Sequence, residues 1–182
     1  MAQTAAYPSE LEADIVLADH RRVRIRPLRR HEEESLRELH AHLSPRTRYL
    51  RFHSPMPTLP DSLARALARV DYRRQLALVA EHHNGGGVEI LGLASFGALD
   101  DGRVEVGLVI RDDWQRLGLG TELADRLLQA GEARGFHQFV AISRADNVAI
   151  PKLLRGLAEI VSTKISAGTS EFTFVRCRTK NL

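Results

Sequence analysis

The sequence predicts an α+β domain with a mixed, mostly antiparallel sheet of about six or seven strands and helices packed against it. Three observations lead there. Alternating apolar runs gather in the middle of the chain and are joined by glycine and aspartate turns, the signature of an antiparallel meander. Helical apolar spacing occurs before the meander and again directly after it. A chain of 182 residues with 43% hydrophobic content has the size of a single domain with one core.

Each element has a local cause. Residues 1–14 hold three acids and neither a basic cluster nor an apolar run, so they read as a flexible tail ahead of a domain spanning 15–182. Residues 15–17 and 22–26 alternate around an Asp19-His20 turn, a hairpin that Pro27 closes. Glu32, Glu33 and Glu34 then precede Leu36, Leu39 and Leu43, which places acids in the first turn of an amphipathic helix. Residues 43–52 read as a short helix or turn, since prolines 55, 57 and 60 prevent a long one. A helix starts at Asp61 or Ser62, with Leu63, Leu67 and Val70 on one side. Strands near 76–82, 88–97 and 103–111 follow, joined by the turns at 84–87 and 100–102.

After a loop at 112–118, Leu123, Ala124, Leu127 and Leu128 share a helix face, Glu122 sits one turn before Arg126, and Gly135 supplies the stop. Phe136–Ile142 reads as a strand, 148–157 as a short helix, and 171–177 as a last strand with Phe172, Phe174 and Arg176 on one side.

Composition narrows the function. One cysteine, Cys177, excludes an internal disulfide and a multi-cysteine metal site, and reads as a packed, reduced thiol. The histidine pairs His40/His42 and His82/His83 join no further ligand at a metal-binding spacing, so no metal is expected. Basic residues number 26 against 23 acids, and the arginines are dispersed while aromatics make up 5%, which argues against a nucleic-acid partner. The run Arg21, Arg22, Arg24, Arg26, Arg29, Arg30 reads as the solvated face of the hairpin. No segment approaches the ~20 apolar residues of a membrane helix, so a cytoplasmic protein without a membrane partner is expected.

Chemistry concentrates where strand 103–111 runs through Gly118 and Gly120 into a helix. A helix start offers unpaired amides and a partial positive charge, and glycine removes the Cβ that would keep a phosphate away. The same two glycines could instead pack the helix tightly against the strand, so the pattern alone leaves both readings open. The third glycine of a dinucleotide fingerprint and the Lys-Ser/Thr of a P-loop are both missing. Upstream, Glu105 shares a strand face with Gly107 and Val109, while Val104, Val106, Leu108 and Ile110 face the other way. A carboxylate there is either solvated or placed for a purpose.

The stretch Val109-Ile110-Arg111-Asp112-Asp113-Trp114-Gln115-Arg116-Leu117-Gly118-Leu119-Gly120-Thr121 resembles the acetyl-CoA-binding motif of the GNAT family, Gln/Arg-x-x-Gly-x-Gly/Ala. The order of elements over residues 15–177 is similar too, which implies the GNAT acyltransferase fold with acetyl-CoA as co-substrate. The resemblance places the pantetheine arm along Leu108, Val109 and Ile110, and the pyrophosphate on the loop Gln115, Arg116, Leu117, Gly118, Leu119, Gly120, Thr121. It gives Asn147 a contact with the coenzyme arm; from the residues alone Asn147 is a helix N-cap.

Two further stretches, Leu43–Phe52 and Val104-Glu105-Val106, are similar to those of the bacterial protein-lysine acetyltransferases. They imply an acceptor site bordered by the first, a protein lysine as acceptor, and Glu105 as general base. The alternatives are a small-molecule amine acceptor, such as a polyamine or antibiotic, and a regulatory domain that binds acyl-CoA without turnover. The chain departs from the family at Leu154, where a tyrosine often protonates the leaving thiolate, and at Ala158-Glu159, where Gly-Phe is usual. There is no room for the regulatory domain some relatives carry, so a separate partner or a homodimer is the expected route to regulation.

Overall fold

The computed structural model describes residues 5–177. One sheet of eight strands has the order β1-β2-β3-β4-β5-β6-β8-β7. The strands are β1 (Ala13–Val16), β2 (Arg22–Pro27), β3 (Gln75–His83), β4 (Val88–Ala98), β5 (Val104–Ile110), β6 (Phe139–Arg144), β7 (Ala158–Ser166) and β8 (Thr169–Arg176). The helices are α1 (Glu33–Ala41), α2 (Pro45–Phe52), α3 (Asp61–Ala68), α4 (Leu119–Glu132) and α5 (Ala149–Leu157). All pairings are antiparallel except β5 with β6. No helix among the described residues is long and apolar enough to cross a membrane.

The meander β3–β4–β5 forms the centre, and β3 is buried from Leu76 to Glu81. α4 lies on one face with Leu119, Leu123, Leu127 and Leu128 buried, and it sits close because Gly92 of β4 leaves space that a Cβ would share with Ile110 and Leu123. α1 and α3 pack together on the opposite face, over β4. α4 ends as its sequence dictates: Gly135 takes φ +87°, and the Phe136 amide donates to the Gly131 carbonyl at 3.0 Å. β6 therefore begins at Phe139, later than residue 136.

Four expectations are corrected. The sheet has eight strands because residues 158–166 form β7, which turns into β8 through Ala167 and Gly168, both at positive φ. Beyond Ala158 every β7 residue is exposed, so no burial period marks it as a strand. The expected tail is packed over 5–14: Ser9–Leu11 makes a 3-10 turn, β1 starts at Ala13, and Tyr7 meets Tyr72 edge to face at 5.9 Å. Tyr7 also donates to Glu12 at 2.7 Å, and burial together with that carboxylate pushes its phenol up to about 12. Residues 1–4 of the tail lie outside the described residues.

The basic run is no uniform solvated face either. Arg26 is 5% exposed, its Nε donates to Glu81 at 2.7 Å, and its two terminal nitrogens donate to Glu32 at 2.9 Å each. Cys177 lies just past β8 and is exposed rather than packed.

His40 is buried at 3% exposure, with Nε2 unpartnered and its ring 5.5 Å from that of Phe52. Burial, helped by Arg48, holds its pKa below the usual value. The unfolded chain therefore binds a proton near pH ~6.5 while the folded chain does not, so stability falls as pH drops below that point. His40→Phe is expected to reduce the loss of melting temperature between pH 7.5 and 5.5; an equal loss in variant and wild type would exclude His40 as its source.

Candidate active site

The site begins with a fault in the sheet. β5 and β6 pair only at Val104↔Phe139, Glu105↔Val140 and Val106↔Ala141. Beyond that point β5 stays with β4 and β6 with β8, so the two strands separate. The β5 edge from Gly107 to Ile110 is left facing the gap with backbone groups that need partners. A cleft of ≈ 1170 Å3 passes through the split, from the side of α4 and α5 to the side of α2 and α3. It can take an extended ligand with amide groups as if it were another strand.

At one end of the gap lies the glycine loop. Arg111 and Asp113 form a fork-shaped ion pair at 2.7 and 3.0 Å, and Trp114 is buried under the Arg21 guanidinium, 3.6 Å from the ring centre. The Gln115 side chain donates through Nε2 to the Ile110 carbonyl at 3.0 Å, so it closes the strand end. Arg116 (φ +61°) and Gly118 (φ +90°) then turn the chain into α4, with the Leu117 side chain against the core.

The two glycines do different work. A Cβ on Gly118 would meet nothing within 4 Å, so its side of the loop is open to an approaching group. A Cβ on Gly120 would stand 3.6 and 3.7 Å from Ile110 and Leu108, so this glycine packs helix on strand. α4 has no side-chain cap, and its first intrahelical bond runs from the Glu122 amide to the Gly118 carbonyl at 3.0 Å. The amides of Leu119, Gly120 and Thr121 thus lack helical acceptors, and Gly118, Gly120 and Thr121 line the cleft, which suits a phosphate oxygen.

α2 roofs the gap. Ser44 is its N-cap, accepting from the Thr47 amide at 3.1 Å, and Pro45 occupies the first turn. Asp112 accepts from the Ser44 amide at 2.9 Å and from the Ser44 and Thr47 hydroxyls at 2.7 Å each. Burial raises the Asp112 carboxyl, but these donors outweigh it and hold the pKa below the usual value. On the other lip, Arg46 pairs with Asp146 at 2.9 Å and the Arg144 guanidinium lies 4.6 Å from the Tyr49 ring centre. Neither Asp112 nor Asp146 is marked by the sequence as part of the site, since Asp112 lies 68 residues from Ser44 and Asp146 100 residues from Arg46.

Glu105 is exposed and lies on the face of Gly107 and Val109, toward α2, whereas Leu108 and Ile110 turn to α4. Among the described residues lining the cleft it is the one carboxylate. The Arg51 guanidinium lies over Gly107, where a Cβ would stand 2.5 Å from Nη2 and 2.9 Å from Cζ. Burial lowers the Arg51 pKa and Glu105 opposes that shift. His53, at the left-handed end of α2, is held below its usual pKa by burial, then by Arg51 and Arg144, against Glu105.

Asn147 is 9% exposed and its Oδ1 accepts from the Ala149 and Ile150 amides at 3.0 and 3.4 Å, so it satisfies the start of α5 from one residue before the N-cap, Val148, at a position that also lines the cleft. Leu154 is buried, and no tyrosine lines the cleft among the described residues. α5 passes into β7 at Ala158 with no intervening loop, which is what Ala158-Glu159 does in place of Gly-Phe. No three His, Cys, Asp or Glu side chains among the described residues gather as metal ligands.

Replacing Gly118 with valine forces a β-branched residue to φ +90° and puts methyl groups where the loop is open. CoA affinity is expected to fall by at least about tenfold from the strain and the obstruction. Gly120→Ala, whose Cβ makes ordinary contacts, is expected to stay near wild type in the same calorimetric titration. Equal affinities for Gly118→Val and wild type would remove the loop from the binding site.

Comparison with known proteins agrees with this geometry. Residues 22–157 match the model of the acetyltransferase (GNAT) domain family. Acetyltransferase PA5475 of Pseudomonas aeruginosa is 34% identical over 138 residues, 75% of this chain and 74% of the relative. The crystal structure of the GNAT domain of S. lividans PAT superposes with a TM-score of 0.82 at 23% identity, over 93% of this chain and 99% of that one. YncA of Salmonella typhimurium, solved with its cofactor acetyl-CoA, superposes with a TM-score of 0.63 at 20% identity, over 88% and 96%. A split sheet, an open glycine turn into a helix and a family match across most of the chain converge: the protein belongs to the GNAT acetyltransferases.

Proposed function

We propose that the protein moves acetyl from acetyl-CoA to the side-chain amine of a protein lysine, with Glu105 as general base. The observation that carries this is the position of Glu105, the one carboxylate among the described cleft-lining residues, on the side of the split away from α4. The pyrophosphate goes to the open amides of the loop, from Arg116 through Leu117, Gly118, Leu119 and Gly120 to Thr121. The pantetheine amides pair with the free β5 edge at Leu108, Val109 and Ile110. Gln115 and Asn147 hold the two walls in shape. A cytoplasmic location accords with acetyl-CoA as co-substrate.

The chemistry follows from where these groups stand. A lysine ammonium has a pKa near ~10.4, so freeing its amine at pH 7 costs about 4 to 5 kcal/mol. Glu105 takes that proton, directly or through water, as nitrogen forms its bond to the thioester carbon. A free β5 amide donates to the carbonyl oxygen as charge grows on it. The carbon–sulfur bond then breaks, the nitrogen gives up its second proton to solvent, and CoA leaves as a thiolate, which solvent protonates. With a thiol pKa near ~8.5 that departure is far easier than an amine's, which lets Leu154 stand where a tyrosine is common.

Arg51 and Arg69 line the acceptor side with no second acid beside Glu105, which disfavours a polyamine. The test is release of CoA thiol from acetyl-CoA with lysine-bearing proteins, polyamines and aminoglycosides in parallel. Acetyl-lysine formed in step with free CoA is the expected result. Transfer confined to small amines, or tight CoA binding without transfer, would overturn the lysine assignment.

A further inference from the structure

Residues 44–75, which build the acceptor side, carry seven arginines against two aspartates and no glutamate or lysine. Both aspartates are engaged elsewhere. Asp61 pairs with Arg37 at 2.9 Å, and Asp71 accepts from the amides of Arg73, Arg74 and Gln75 at 2.8 Å each. Arg46 is taken by Asp146, and Arg48 by the carbonyls of His40, Ala41 and Pro57. Arg51, Arg65, Arg69, Arg73 and Arg74 have no ion pair among the described residues.

Arg51 is the inner member of this group. It is half-buried beside the cleft floor, makes no side-chain hydrogen bond among the described residues, and occupies a place that exists only because residue 107 has no Cβ. Arg69 lines the same cleft from the end of α3 and is exposed, and Arg73 and Arg74 are exposed next to cleft-lining Gln75. A partly desolvated guanidinium whose donors make no hydrogen bond among the described residues is a site for a carboxylate, since a charge-assisted hydrogen bond there is stronger than at an open surface.

We propose that this face selects a lysine set among acidic residues, with Arg51 as the internal anchor for a carboxylate close in sequence to the acceptor and the outer arginines steering the acidic segment in. The inference rests on the protein-lysine reading of the acceptor. It adds charge recognition to it: the arginines that exclude polycations attract a segment whose own net charge is negative, and they lower the ammonium's hold on its proton near Glu105.

The test uses the full chain and three peptides, each with one lysine flanked by glutamates, by glutamines or by arginines. Expected kcat/KM for the glutamate peptide exceeds that for the glutamine peptide by about tenfold at low ionic strength, and the ratio shrinks with added salt. Arg51→Gln is expected to bring that ratio close to one, through KM rather than kcat, and Arg51→Lys to restore part of it. Equal rates on the three peptides, or a drop in kcat shared by all of them in Arg51→Gln, would overturn the proposal. Fluorescence anisotropy of the labelled peptides separates docking from transfer. Preferential docking of the glutamate peptide without acetylation sinks the lysine-acceptor reading but supports the charged face, whereas acetylation without any flank preference does the reverse.

Discussion

Glu105→Gln is expected to lower kcat for lysine acetylation by about two to four orders of magnitude, the usual range for loss of a positioned base. CoA affinity should stay close to wild type. The substitution keeps the shape of the side chain and removes only its capacity to take a proton. Glu105 lies exposed on the strand face turned away from α4, so the fold does not depend on its charge. The effect should be largest at neutral pH, where lysine is protonated, and should diminish toward pH ~10, where free amine is abundant. A variant that retains wild-type turnover at pH 7 would make Glu105 a solvated strand residue and remove it as the base.

The second large effect concerns stability. Arg26→Leu is expected to destabilise the protein by about 3 to 5 kcal/mol, because it leaves Glu81 buried without its cation. The Glu81 side chain is 9% exposed and that of Arg26 6%, so water cannot replace the lost bond without opening β2 and β3. For a chain of this size that corresponds to a drop in melting temperature of roughly 10 °C or more. Converting both residues, Arg26→Leu with Glu81→Leu, should recover most of the loss, since Glu32 stands at the rim with 19% of its side chain exposed and also accepts from the Arg29 amide at 2.7 Å. A single variant that melts within about 2 °C of wild type would show that the pair is not the fastening it resembles.

What the sequence reveals and what it hides follow from the range of the interactions. The β3–β4–β5 meander and α4 are legible because turn residues and apolar periods act within a few positions. The loop at 115–121 is legible for the same reason, although only the structure separates the open side of Gly118 from the packing role of Gly120. The split itself is invisible in sequence, because it depends on the register of β6, which departs from β5 after Ala141. Asp112 with Ser44, Arg26 with Glu81, and Arg51 with Gly107 join residues more than fifty positions apart, and no local pattern marks either member. The segment 43–52 could be read only as a helix or a turn, since its helix buries no residue and so lacks an apolar stripe.

That absence of burial sets how the roof behaves. α2 is held down by carboxylates at its two lips, Asp112 and Asp146, by the Arg144 guanidinium against Tyr49, by the Arg48 bonds to three carbonyls, and by Phe52 at its end, which packs against the core. The fastenings of its first turn are all polar, so loosening there is a local event that costs less than global unfolding. The proposed acceptor side is thereby roofed by an element whose hold weakens as ionic strength rises, above strands and an α4 that are fastened by apolar burial.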